Sequence, residues 1–141
     1  MSAEKTAYGA PAGPAGGAVR RTGLAKALAV VVALECLSIV VQAITAGSFL
    51  NGNDSMKDVH AKGAAAVIVL ALIQLVLSVV HWRKRGPGWL ALASTALLVL
   101  VVAQAAVGGS HNLAVHVPLG VITFGVAVAL ATWVWQPRRG A

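Results

Sequence analysis

The chain has 141 residues, of which 58% are hydrophobic and 11% charged, with a mean hydropathy of +0.82. A water-soluble domain of this size cannot hide that much apolar surface. The formal charge of +7 sits in short clusters at the ends of apolar blocks, not in a stripe interleaved with aromatics, which excludes nucleic acid as a partner.

Residues 1–21 are rich in Ala, Gly and Pro (GAPAGPAGGAV) and read as a disordered cytoplasmic tail. Four apolar blocks follow, each near the ~20 residues a helix needs to cross a bilayer. They predict one transmembrane domain over 22–136, with helices at about 22–46, 58–82, 89–108 and 113–135. The first block is longer than the ~7–15 apolar residues of a signal peptide, so it is kept as a span. A polar stretch, Gly47 to Lys57, separates the first two helices, with Asp58 as the expected N-cap of the second. Arg83-Lys84-Arg85-Gly86-Pro87-Gly88 is a tight basic turn, and Gly109 to Asn112 a short loop. Pro118 falls in the first turns of the fourth helix, where a missing N–H costs least. Residues 137–141 form a second cytoplasmic tail. The fold class is therefore all-α, a polytopic membrane four-helix bundle lying in the lipid bilayer of the cell membrane. Nine basic residues (Lys5, Arg20, Arg21, Lys26, Arg83, Lys84, Arg85, Arg138, Arg139) fall on one side and only Lys57 and Lys62 on the other. The positive-inside rule makes the first side, with both termini, cytoplasmic. Trp82, Trp89, Trp133 and Trp135 mark the same interface.

The chain also reads as two related hairpins. VVQAITAGS (Val40 to Ser48) resembles VAQAAVGGS (Val102 to Ser110), aligning Gln42 with Gln104. Each segment leads to a Val-His pair and a nearby glycine: His60 with Gly63, and His116 with Gly120. A duplication implies pseudo-two-fold packing about the membrane normal. Composition alone is the competing explanation for matches this short.

Polar groups within the spans each need a reason, because hydrocarbon penalises them. His60 and His116 open parallel helices at similar depth, and in an up-down-up-down bundle these helices are diagonal. With adjacent axes about 8–10 Å apart, the diagonal is about 12–14 Å, a gap that suits two imidazoles with a metalloporphyrin between them. Gly63 and Gly120 would leave room for the ring edge. The expected cofactor is thus one haem b, with His60 and His116 as metal ligands. The competing reading is two interfacial histidines hydrogen-bonded to nearby carbonyls. His81 lies three heptads beyond His60, at the other end, where an interfacial role beside Arg83 is expected; His111 is expected to be a solvated loop residue.

Glu35 is the one carboxylate deep within a span, on a face shared with Ser38, Gln42 and Thr45. It reads either as a proton-carrying or quinone-contacting group, or as a helix-helix hydrogen-bonding partner of Gln74 or Gln104. Gln42 and Gln104 are expected to bond across helices near the histidine layer. Cys36 reads as simple packing.

The pattern of Gln42-Ala…Ala-Gly47, His60-x-x-Gly63, Gln104 and Val115-His116 resembles a small family of four-helix bacterial, in particular actinobacterial, membrane proteins over nearly all of the chain after residue 22. More distantly it is similar to one half of haem A synthase and to b-type membrane cytochromes. That resemblance implies haem held by histidines on paired helices, carried over here to His60 and His116 alone. The chain is half the size of haem A synthase and has no second complete histidine pair.

Three functions follow as expectations: a b-type haem protein in electron transfer or redox sensing, a small proton-coupled transporter using Glu35, and a non-catalytic accessory subunit of a larger membrane complex. A homo-oligomer is a further partner class. No Ser-His-Asp arrangement, phosphate-binding glycine loop or paired carboxylate occurs, so haem-dependent redox chemistry is the one enzymatic activity the sequence motivates.

Overall fold

A computed structural model describes residues 22–136 of the chain. The expected tails at 1–21 and 137–141, with Lys5, Arg20, Arg21, Arg138 and Arg139, lie outside the described residues. Four helices make up the fold: α1 (Gly23–Leu50), α2 (Ser55–Arg83), α3 (Trp89–Gly109) and α4 (Leu113–Trp135). Each is long and apolar enough to cross a membrane. At about 1.5 Å per residue, even α3 with its 21 residues matches a hydrocarbon core of about 30 Å. The protein is a multi-pass membrane bundle.

The helices start and stop for identifiable reasons. Thr22 caps α1 by accepting from the Ala25 N–H at 3.3 Å, and Asn112 caps α4 by accepting from Val115 at 3.3 Å. The N-cap of α2 is Asp54, not Asp58, which lies in the first turn; Asp54 makes no side-chain capping bond. Its carboxylate instead pairs with Lys57 at 2.8 Å, and that hydrogen bond and charge hold it below the usual carboxylate range. Being fully exposed, the pair adds little to stability. The three interior C-termini close on residues with positive φ: Gly52 at 96°, Arg85 at 67° and His111 at 58°. After α1, Gly52 N–H donates to Phe49 O and Asn53 N–H to Ser48 O. After α2, Arg85 N–H donates to Trp82 O and Gly86 N–H to His81 O. Both are Schellman closures, which satisfy carbonyls the helix leaves orphaned.

The expected loop at 47–57 shrinks to 51–54, because α1 continues through Gly47 to Leu50. The cause is tertiary. Phe49 packs its ring edge-on against His60 of α2, with centroids 5.4 Å apart, and so holds the extra turn in place. Pro118 is the sixth residue of α4, inside the helix. Its missing N–H leaves the Ala114 carbonyl without an intrahelical partner.

Each helix packs against its two neighbours around a ring, α1 on α2, α2 on α3, α3 on α4 and α4 on α1. The pairs α1/α3 and α2/α4 lie across diagonals. One end carries the start of α1, the end of α4 and the α2–α3 turn; it is called here the termini end, and the opposite one the histidine end. Small residues (Ala25, Ala29, Ala71, Ala91, Ser94, Ala127) are buried between helices, letting the backbones approach as membrane helices do. Leu28, Val32, Leu90, Leu97 and Leu130 fill the core around them. The outward faces are apolar as well: Val30, Leu34, Leu37, Val41 and Ile44 on α1 are all exposed. Such a surface suits lipid, and in water would be an aggregation hazard.

Candidate functional site

At the histidine end, α1 and α3 each present a glutamine to the helix that follows. His60, sixth in α2, places its Nδ1 3.1 Å from the Gln42 carbonyl oxygen and 3.1 Å from Thr45 Oγ1. His116, fourth in α4, places its Nδ1 3.1 Å from the Gln104 carbonyl oxygen. A carbonyl only accepts, so both rings carry their proton on Nδ1. Thr45 donates its hydroxyl to the Val41 or Gln42 carbonyl and can accept from His60. Each Nε2 therefore keeps a lone pair, with the tautomer fixed by a backbone carbonyl. Metal-bound histidines are held in the same way.

The two rings meet edge-on across the α2/α4 diagonal. Their centroids are 6.3 Å apart and their planes cross at 71°. Among the described residues no group of three or more His, Cys, Asp or Glu gathers. The donor set is two nitrogens, which fits a metal that brings its own equatorial ligands.

The glutamines occupy the space around this pair. A side chain on Gly63 would meet the Gln42 amide, and one on Gly120 would come within 2.8 Å of Gln104 Nε2. The room the glycines leave is thus filled by glutamine amides. Gln104 Nε2 donates to the His116 carbonyl at 2.8 Å and lies 3.4 Å from His116 Nε2. Gln42 Oε1 and Gln104 Oε1 are buried without a partner. A planar ring entering between the histidines would take the place of these flexible amides, whose acceptors are unsatisfied as they stand. Gly108 adds a contact that spacing did not reveal: a side chain there would meet His116 Cε1 at 2.8 Å, so the ring needs that glycine.

No family model, no curated protein and no solved structure matches this chain. The site stands on its geometry.

The remaining polar residues lie deeper. Glu35 and Gln74 are both 0% exposed. Glu35 bonds to neither of its expected partners; both its carboxyl oxygens are buried and unpartnered. Gln74 turns instead to α3, donating from Nε2 to Ser94 Oγ at 3.3 Å, and Ser94 shares a 2.8 Å hydrogen bond with Ser78. Ser78, four residues after Gln74, shares its helix face, and that spacing was the available signal for it. Cys36 is half-buried as a free thiol. His111 is exposed in the α3–α4 turn. His81 is half-buried at the termini end, where a side chain at Gly86 would strike its ring.

Proposed function

We propose that this protein sits in the cell membrane with both termini cytoplasmic, and that it holds one haem b between His60 and His116 near the outer face to pass electrons there. The observation that carries the reading is the doubled anchoring of the histidines: each Nδ1 is taken by the carbonyl of a glutamine on the preceding helix, leaving two Nε2 atoms as the donor pair. Two protein ligands, with no third among the described residues, would suit a tetrapyrrole, whose ring nitrogens would supply the remaining ligands. Bound there, the haem would supply one-electron redox chemistry. Thr45 Oγ1 gives His60 Nδ1 a second acceptor beside the Gln42 carbonyl and so fixes the ring orientation further. The basic clusters at 83–85 and 138–139 support the orientation. The Gln-His-Gly contact, made once by α1 with α2 and once by α3 with α4, supports descent of the two hairpins from one, and with it the likeness to half of haem A synthase.

The test is an absorption spectrum of protein purified in detergent after expression with ample haem. A Soret band is expected, lost in His60→Ala and in His116→Ala. A wild-type protein that folds and shows no such band overturns the reading.

A further inference from the structure

We propose that Glu35 is a proton-binding site reached from the termini end of the bundle along a buried polar file made by Ser78, Ser94 and Gln74. The proposal is independent of what the histidine layer holds.

Burying a carboxyl with both oxygens unpartnered is costly, and Glu35 is such a group at 0% exposure. Its depth follows from the contacts of α1 with α2. Thr45 bonds His60 and Gln42 abuts Gly63, so three residues back along α1 match three forward along α2. Glu35 then stands level with residue 70, and Gln74 lies about 6 Å nearer the termini end at about 1.5 Å per residue. Side chains lean toward the N-terminus of their own helix. In this antiparallel pair Glu35 leans toward Gln74 and Gln74 toward Glu35, which narrows the axial gap. The Gln74 Oε1 is itself buried and unpartnered, an acceptor for the acid proton or for one water shared with Glu35.

From Gln74 the file runs on without a break: Nε2 to Ser94 Oγ at 3.3 Å, then Ser94 to Ser78 at 2.8 Å. Either hydroxyl of the serine pair can donate, so the pair can pass a proton and reverse its polarity. His81 stands one turn beyond Ser78, at the helix end. In the transfer, a proton arriving from the termini end is taken by Ser78, which releases its own to Ser94; Ser94 releases its proton to one water held at Gln74 Oε1, and that water releases a proton to the carboxylate oxygen of Glu35, which forms the final O–H bond. No electrons move. Gln74 positions the relay and gives up no proton.

On the two helices packed against α1, the buried residues are Val67, Ala71, Gln74 and Ser78 of α2 and Thr123, Ala127, Leu130 and Val134 of α4; none of them titrates. Across the diagonal, α3 offers Leu97 and Val101. Cys36 is the titratable neighbour on its own helix. The next groups are His60 and His116 toward one end and His81, Lys26 and Arg83 toward the other.

The experiment uses the full chain in phosphatidylcholine and phosphatidylglycerol vesicles. Their orientation is assigned with an impermeant lysine reagent that separates Lys57 and Lys62 from Lys84. Dicyclohexylcarbodiimide attacks a protonated carboxyl: the acid proton goes to a carbodiimide nitrogen, the carboxylate oxygen bonds the central carbon, and acyl migration leaves a stable adduct read by mass spectrometry. One adduct at Glu35 is expected, absent in Glu35→Gln. Its rate should follow the pH on the termini side, falling by up to about tenfold per pH unit on the alkaline limb, as for any single proton site. Ser94→Ala should slow the response to a pH jump by on the order of tenfold or more, while Ser94→Thr, which keeps the hydroxyl, should not. No adduct at Glu35, a rate indifferent to pH, a response to the histidine side alone or equally, or an unchanged response in Ser94→Ala overturns the proposal.

Discussion

At the scale of single residues, the site depends on what is missing as much as on what is present. Gly108 has no side chain because His116 occupies that space, and a methyl group there would stand 2.8 Å from Cε1. The ring cannot yield freely, since its Nδ1 is tied to Gln104 O. Gly108→Ala should therefore destabilise the protein by about 1–3 kcal/mol, the usual cost of overpacking, measured by denaturant unfolding in detergent. It should also weaken any haem spectrum. Gly63→Ala meets only the far end of the Gln42 side chain, which can rotate away, so its effect should be clearly smaller in the same assay. The histidine pairing was legible in the sequence, because the same residues recur at matching places before and after each loop. Gly108 was not, because a glycine near a helix end looks like any other until the ring that needs the space is located.

At the scale of elements, sequence and structure agree on the number and nature of the helices and part at their ends. Apolar run length carries the helices, and the bilayer enforces them. Their ends depend on contacts between distant residues. The Phe49 ring on His60 extends α1 past Gly47, and no local pattern around Gly47 announces it. The serines are similar. Ser94 sits in an apolar helix, and its role appears only with Gln74 and Ser78 beside it. The C-terminal closures give a prediction at this scale. Arg85 holds a left-handed conformation that glycine adopts without strain, whereas Gly52 already has the residue its turn requires. Arg85→Gly should stabilise the bundle by about 0.5–1 kcal/mol and Gly52→Ala should destabilise it by about 1 kcal/mol, relative to wild type in one unfolding series.

At the scale of the whole molecule, the bundle reverses the usual solvent logic. Its outer wall is apolar and its axis carries the polar groups, with the histidine layer at one end, Glu35 near the middle and the Gln74–Ser94–Ser78 file toward the other. A charge placed on the wall should be far more damaging than one at an end. Leu37 is 60% exposed near the midpoint of α1. Leu37→Arg should cost about 2.5–3.5 kcal/mol of insertion free energy and reduce the fraction of chain resisting alkaline extraction from membranes. Lys62→Arg, near the start of α2, should leave that fraction unchanged.

The ring of helices also bears on how the protein is made. Three of its four contacts join consecutive helices and can form as each hairpin emerges, whereas the contact of α1 with α4 waits for the last span. At about 5–20 residues per second, a nascent chain spends several seconds with α1 already inserted and that flank unsealed. During this interval the groove destined to enclose Glu35 faces lipid on one side. Burial of the intramembrane acid is therefore the last step of assembly, completed only when α4 inserts and closes the flank of α1.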